Sequence, residues 1–343
     1  MGLKNRAGEK RPERANRMED VAAAAGVSLA TVSRVFSQPE LVSEATREKV
    51  HAVAKRMRYL PNLLAGGMAA NQSRVISAMV PVISSAIFAQ TIEGLSSGLH
   101  GTGYELMLSQ SSYEPEQEYS ILRAFLGRRA DGIVVAGAVR DPHCRELLLH
   151  SGTPVVEMWE LLEEPIDMAV GFSNHHAAQA AADYLLGRGY RNFGFIGGTD
   201  QRTADRQKGF YEAVRAAGLP APRQVLIHSP SPSSFDAGGQ AMARLLDENA
   251  GIDVVFCTND LLAVGALFEC QRRGLPVPGR VAVMGFSDLD IGQVSVPPLT
   301  TVQVGAYEIG RQASRMLLAR LTGAPQETRI VDTGFSIVRR QSA

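Results

Sequence analysis

In the segment EDVAAAAGVSLATVSRVF, Val32 and Val35 recur at the inward spacing of a helix and leave Leu29, Ala30, Thr31, Ser33 and Arg34 on the other side. A short helix of this kind can enter the major groove of a duplex while hydroxyls and backbone N–H groups reach phosphates. Other residue sets suggest different chemistry and carry it less far. Asp288 and Asp290 could pose as a general acid and base, but no nucleophile or base partner accompanies them, so they read as hydrogen-bond acceptors in a loop. The adjacent His175 and His176 offer nitrogen ligands, yet neighbours at a helix start point apart, which favours a solvated pair. The dinucleotide fingerprint GxGxxG and the phosphate loop GxxxxGK[ST] are both absent. No enzyme, no cofactor and no metal site is expected.

The elements that must position the first set are three short helices, expected over residues 18–25, 29–36 and 44–57. Gly26 supplies the left-handed residue that lets the chain turn, Val27 plugs the corner, and Ser28 is a candidate N-cap for the second helix. A plain helical hairpin would have the same spacing. Charge argues for the groove reader: residues 1–60 hold 12 Lys and Arg against 7 Asp and Glu, although the whole chain of 343 residues is formally neutral. The basic stretch 1–16 is read as a tail, because no apolar run follows it as a secretory signal requires. Pro61 ends the helical region, and residues 61–73 form a hinge. Residues 63–70 span only about two helical turns, too short to be stable alone. Gly66 and Gly67 weaken that segment further.

Beyond Arg74 short apolar runs alternate with amphipathic segments, the pattern of βαβ units on a parallel sheet. Strands are expected over 75–80, 105–109, 132–136, 154–158, 193–197, 225–228, 254–258, 281–285 and 301–304, with a last one near Phe335. That is too many for one open sheet, so residues 74–343 are expected to form two α/β halves. Ligands of such halves bind beyond the carboxyl ends of strands, which directs attention to 82–88, 158–160, 171–174, 199–208, 259–260 and 286–290. The longest charge-free run, 75–92, is interrupted by Pro81 and by Ser84 and Ser85, and so reads as a strand and helix start rather than a membrane span. Cys144, Cys257 and Cys270 lie far apart with no CxxC pair, which points to a reducing, cytoplasmic setting.

The runs DVAAAAGVSLATVSRVF, VSEATREKV and YLPNLLAGGMA resemble the headpiece and hinge of the LacI/GalR family of bacterial repressors, and the similarity continues to about residue 340. The resemblance implies a helix-turn-helix headpiece over 17–60, followed by two Rossmann-like subdomains of the type I periplasmic-binding-protein kind. It puts Leu29, Ala30 and Arg34 at base-reading positions, the first two for apolar contacts and Arg34 for guanine or phosphate. Thr31, Ser33 and Asn62 are directed to phosphates, and Met68 takes the position of the hinge side chain that wedges into the minor groove. A flexible linker is the other reading of that hinge.

The resemblance also implies an effector site. Arg206, in DRQKG, matches the arginine that anchors effectors, and Asn259 commonly faces the ligand. Phe88 lies in the first post-strand segment, and Phe235 offers a stacking face. Ser287 replaces an aspartate common in sugar-binding relatives. VVEMWELLEEPIDMAVGFSN, TDQRTADRQKGF and VFCTNDLLAVGALFECQRRGL resemble most the branch that governs gluconate utilisation, which implies a sugar acid as effector. Arg202 and Arg206 would then meet the carboxylate, leaving Ser84, Asn174, Asn259 and Asp288 for hydroxyls. The expected protein is a cytoplasmic homodimer that binds a pseudo-palindromic operator under effector control. Regulation by a neutral sugar or another metabolite, or sugar binding without DNA, are the alternatives, and the sign of the response stays open.

Overall fold

The computed structural model describes residues 16–60, 72–228, 234–325 and 328–343. The chain divides into two compact units, Met1–Ser73 and Arg74–Ala343. The hinge expectations at Asn62, Gly66, Gly67 and Met68, and the tail over 1–15, fall outside the described residues.

In the first unit α1 (Met18–Ala25), α2 (Leu29–Ser37) and α3 (Glu44–Arg56) enclose a core of Val21, Ala22, Ala25, Val32, Val35, Val50, Val53, Ala54 and Tyr59. The first helix stops because Gly26 adopts φ 63°, after which the Val27 N–H returns to the Ala22 carbonyl at 3.1 Å. The second starts because the Ser28 hydroxyl accepts the Thr31 N–H at 3.1 Å. Phe36 meets His51 edge-on, with ring centroids 5.3 Å apart, and so fastens α2 to α3.

The second unit contains two six-stranded sheets. The amino lobe carries, in spatial order, β11 (Ile330–Asp332), β5 (Met168–Gly171), β4 (Val155–Met158), β3 (Gly132–Ala136), β1 (Val75–Val80) and β2 (Glu105–Gln110), all parallel. The carboxyl lobe carries β12 (Phe335–Val338), β10 (Thr300–Val304), β9 (Ala282–Ser287), β8 (Val254–Cys257), β6 (Phe193–Gly198) and β7 (Arg223–Ile227), with only β12 antiparallel to its neighbour. Each expected strand is present with ends within two residues, and β5 and β11 are additional. Both are short, and they complete the β11 edge of the amino sheet. The chain passes between lobes three times, after β5, after β10 and between β11 and β12.

Helices α4 (Ala86–Leu99), α5 (Pro115–Gly127), α6 (Pro142–Ser151) and α12 (Ala306–Thr322) belong to the amino lobe. In the carboxyl lobe lie α7 (Asn174–Gly187), α8 (Gln201–Ala216), α9 (Phe235–Glu248), α10 (Asp260–Arg272) and the short α11 (Asp290–Val294). No described helix is long and apolar enough to cross a membrane.

The pair α4–α12 brings the chain back from the carboxyl lobe, and glycines let its backbones approach closely. A methyl group on Gly94 would overlap the Tyr307 carbonyl, and one on Gly310 would overlap the Thr91 carbonyl. Neither obstacle is a flexible side chain, so the helices would have to separate. Gly94→Ala is therefore expected to lower the unfolding free energy by about 1–3 kcal/mol in urea titrations. Gly187→Ala, at a helical position with open space around it, should be neutral or slightly stabilising. Equal stability of the two variants would contradict this packing.

Candidate functional site

On α2 the outward face is what the amphipathic spacing requires. Leu29 is 46% exposed, Ala30 and Arg34 are exposed, and Thr31 and Ser33 are half-buried. The Thr31 hydroxyl lies 2.8 Å from that of Ser28, so these two hydroxyls sit together at the helix start. The helix thus presents an apolar leading edge with one cation a turn behind it, held by the buried Val32 and Val35.

The second unit has a cleft between its lobes, with about 80 Å³ of interior space, room for several waters or a small polar ligand. Ser85, Phe88, Tyr113 and Trp159 come from the amino lobe, and Asp200, Arg202, Arg206, Asn259 and Ser287 from the carboxyl lobe. These groups lie at the carboxyl ends of strands or at the starts of the helices that follow, where α/β sheets bind ligands.

Arg206 is positioned from three sides. Its Nε donates to Asn174 Oδ1 at 2.8 Å, its Nη1 donates to the Thr258 carbonyl at 2.7 Å, and its guanidinium lies 3.7 Å from the Phe286 ring centre. Burial pushes its pKa down to about 10, so it stays charged at neutral pH. Arg202 lies against Asp200 at 3.8 Å, donates to the Tyr113 hydroxyl at 3.3 Å and stands 5.3 Å from the Phe88 ring centre. Burial alone would lower its pKa, but Tyr113, Asp200 and Glu160 hold it above the ordinary value. Asp200 also caps α8 through the Thr203 N–H and hydroxyl. Two guanidiniums therefore share the cleft wall with one carboxylate. Glu160, just outside the wall, is neutralised by Arg140.

Of the residues expected for an effector, Phe88, Arg202, Arg206 and Asn259 line one cavity. Asn259 also accepts the Leu262 N–H at 3.0 Å and so caps α10. The other four expected residues lie outside this lining. Asn174 stands behind the wall, its amide donating to the Trp159 carbonyl at 3.0 Å and its oxygen taken by Arg206. Asp288 turns away, its carboxylate engaged by Arg340 at 2.6 Å and by Gln303 at 2.9 Å. Ser84 is exposed and its neighbour Ser85 lines the cavity. Phe235 packs beside Phe268 across α9 and α10, with ring centroids 6.2 Å apart and both side chains partly exposed. Tyr113 and Trp159 were not singled out. Both have left-handed backbones, φ 62° and φ 76°, which a sequence without glycine at these points does not announce.

Residues 17–62 match the family described as bacterial regulatory proteins, lacI family. Residues 182–343 match the family described as periplasmic binding protein-like domain. The chain is 36% identical over 321 residues to the HTH-type transcriptional regulator GntR of Escherichia coli strain K12, covering 93% of this chain and 96% of that protein. It is 32% identical over 317 residues to the HTH-type transcriptional repressor CytR of the same strain, covering 92% of each. A crystal structure of a LacI-family transcriptional regulator from Silicibacter pomeroyi is similar with a TM-score of 0.89 and 29% identity, covering 95% of this chain and 99% of that one.

One buried acid, Asp260, follows the cavity-lining Asn259. Asp260 is fully buried and accepts the Leu289 N–H at 2.6 Å and the Thr301 hydroxyl at 2.7 Å, tying α10 to the loop after β9 and to β10. Burial pushes its carboxyl up to about 6, despite the opposing hydrogen bond from Thr301. A carboxyl that titrates higher in the fold than in the unfolded chain, where it titrates near about 3.9, contributes stability fully at low pH. That contribution is lost as pH rises through about 6. The stability of the parent relative to Asp260→Asn should fall between pH 4 and pH 7 in urea titrations, by at most about 1.4 kcal/mol per pH unit. A pH-independent difference would show that this carboxyl titrates normally.

Proposed function

This chain belongs to the lacI family of bacterial regulatory proteins, and from that premise we propose that it is a repressor whose hold on operator DNA is set by a sugar acid, gluconate or a close relative, bound between its lobes. That it is a DNA-binding transcriptional regulator, and not an enzyme, follows from the family. The acidic effector is supported by one observation above the others: two arginines and a single aspartate on the cleft wall leave a positive surplus there. A carboxylate can neutralise that surplus through charge-assisted hydrogen bonds, whereas a neutral sugar would leave it in place. The runs that resemble the gluconate branch support the same reading. Tyr113, Asn259 and Ser287 add polar groups for hydroxyls.

In this reading residues 17–60 are the DNA reader, 61–73 the hinge, and 74–343 the effector-binding and dimerisation part of a cytoplasmic homodimer. Two headpieces read a palindrome. Leu29 and Ala30 make apolar contacts to base edges, Arg34 binds guanine or phosphate, Thr31, Ser33 and Asn62 hold phosphates, and Met68 enters the minor groove. Effector favours one arrangement of the lobes and so biases operator affinity through linkage.

Gel-shift titration on the DNA upstream of the chain's own gene tests both sites. Arg34→Ala should weaken operator binding by about 1–3 kcal/mol, and affinity equal to the parent would remove Arg34 from the interface. Arg206→Met should keep operator affinity while abolishing the response to gluconate. An undiminished response in that variant, or no response of the parent to gluconate, would reject the acidic effector.

A further inference from the structure

Among the described residues, only two buried side-chain polar atoms have no hydrogen-bond partner, the Ser77 hydroxyl and Trp159 Nε1. Ser77 lies within β1, but Trp159 is on the cleft wall beside Arg202 and Arg206. We propose that the Trp159 indole N–H is a ligand-binding donor, held ready for a hydroxyl oxygen of the effector, and that it makes the cleft select hydroxylated acids over plain carboxylates. The proposal rests on the effector reading above and goes further, assigning a second contact and the group that makes it.

The ring is held on several sides. Its backbone is fixed in a left-handed turn with φ 76°, the Trp159 N–H donating to the Val170 carbonyl at 2.9 Å and the Trp159 carbonyl accepting from Asn174 at 3.0 Å. Gly171 packs against the following Glu160 backbone so closely that a methyl group there would overlap it. The indole is bracketed edge-on by Phe88 and Phe172, at centroid distances of 5.8 Å and 6.2 Å. Only 2% of the residue is exposed, so bulk solvent does not satisfy the N–H. An indole nitrogen donates and cannot accept, which restricts its partner to an acceptor oxygen. A buried donor left unsatisfied is costly, and native structures avoid it unless a ligand or a bound water supplies the missing acceptor. The same Asn174 amide that holds the Trp159 carbonyl holds Arg206 Nε through its oxygen. The Trp159 backbone and the Arg206 guanidinium are therefore tied to one side chain.

The chain contains a single tryptophan, so its emission reports directly on this wall. Full-length protein would be titrated with D-gluconate, D-glucose and hexanoate, following tryptophan fluorescence in the parent and heat by calorimetry in the parent and Trp159→Phe. Phenylalanine keeps an aromatic ring between Phe88 and Phe172 and removes the donor together with part of the indole's volume, and hexanoate, which has no hydroxyl to accept from the donor, reports the volume effect alone. Saturable gluconate binding should shift the parent emission, and Trp159→Phe should bind gluconate about tenfold more weakly. The parent preference for gluconate over hexanoate should shrink by a similar factor. If glucose binds and gluconate does not, the acidic effector falls, while a tenfold loss for glucose in Trp159→Phe still supports the donor. A parent emission unmoved by all three ligands, or a variant that binds the hydroxylated ligand as tightly as the parent, would overturn the proposal.

Discussion

The second unit depends on holding two guanidiniums inside a protein cleft. Removing such charges from water is expensive, and the expense is offset only when hydrogen bonds and opposite charge surround them. Here the surroundings are assembled from both lobes. Arg206 draws on Asn174, the Thr258 carbonyl and the face of Phe286, while Arg202 draws on Asp200 of its own lobe and on Tyr113 and Phe88 of the other. The compensation is incomplete in charge, since one carboxylate faces two cations on the cleft wall. An anion between the lobes would complete it, and in the proposed function this residual imbalance would give a ligand leverage over lobe geometry.

Such leverage requires that the lobes be able to respond without unfolding. Three crossings of the chain join two separately completed sheets, each with its own helices on its faces. The helix pairs are rigid because glycines bring their backbones together, as at Gly94 and Gly310. Arg202 meets its amino-lobe partners by a long hydrogen bond and by ring contacts, which are weaker than the packing within each lobe. A ligand that prefers one arrangement shifts the balance by its differential affinity and no more.

Most of the architecture was legible because it depends on local rules. Gly26 and Ser28 mark the turn before α2 by conformational freedom and capping chemistry, and the buried central strands are unbroken apolar runs. The short β5 and β11 escaped because four and three residues leave no periodicity to read. The cleft was legible only in part. Arg202, Arg206, Phe88 and Asn259 were recognised, but Asn174, Asp288 and Ser84 have the same local polarity and different engagements. Whether a polar residue after a strand faces a cavity or binds Arg340, as Asp288 does, is decided by a contact 52 residues away. Trp159 and Tyr113 depend on left-handed backbone at non-glycine residues, which only the fold enforces.

In the proposed function the cleft and the operator are linked, and linkage is reciprocal: a ligand that changes DNA affinity by some factor must have its own affinity changed by DNA by the same factor. Calorimetric titration of the protein with gluconate, alone and saturated with operator duplex, measures that directly. Two different dissociation constants are expected, their ratio equal to the change in operator affinity produced by saturating gluconate. Gluconate that binds with the same constant in both states, while operator affinity also stays unchanged, would contradict it.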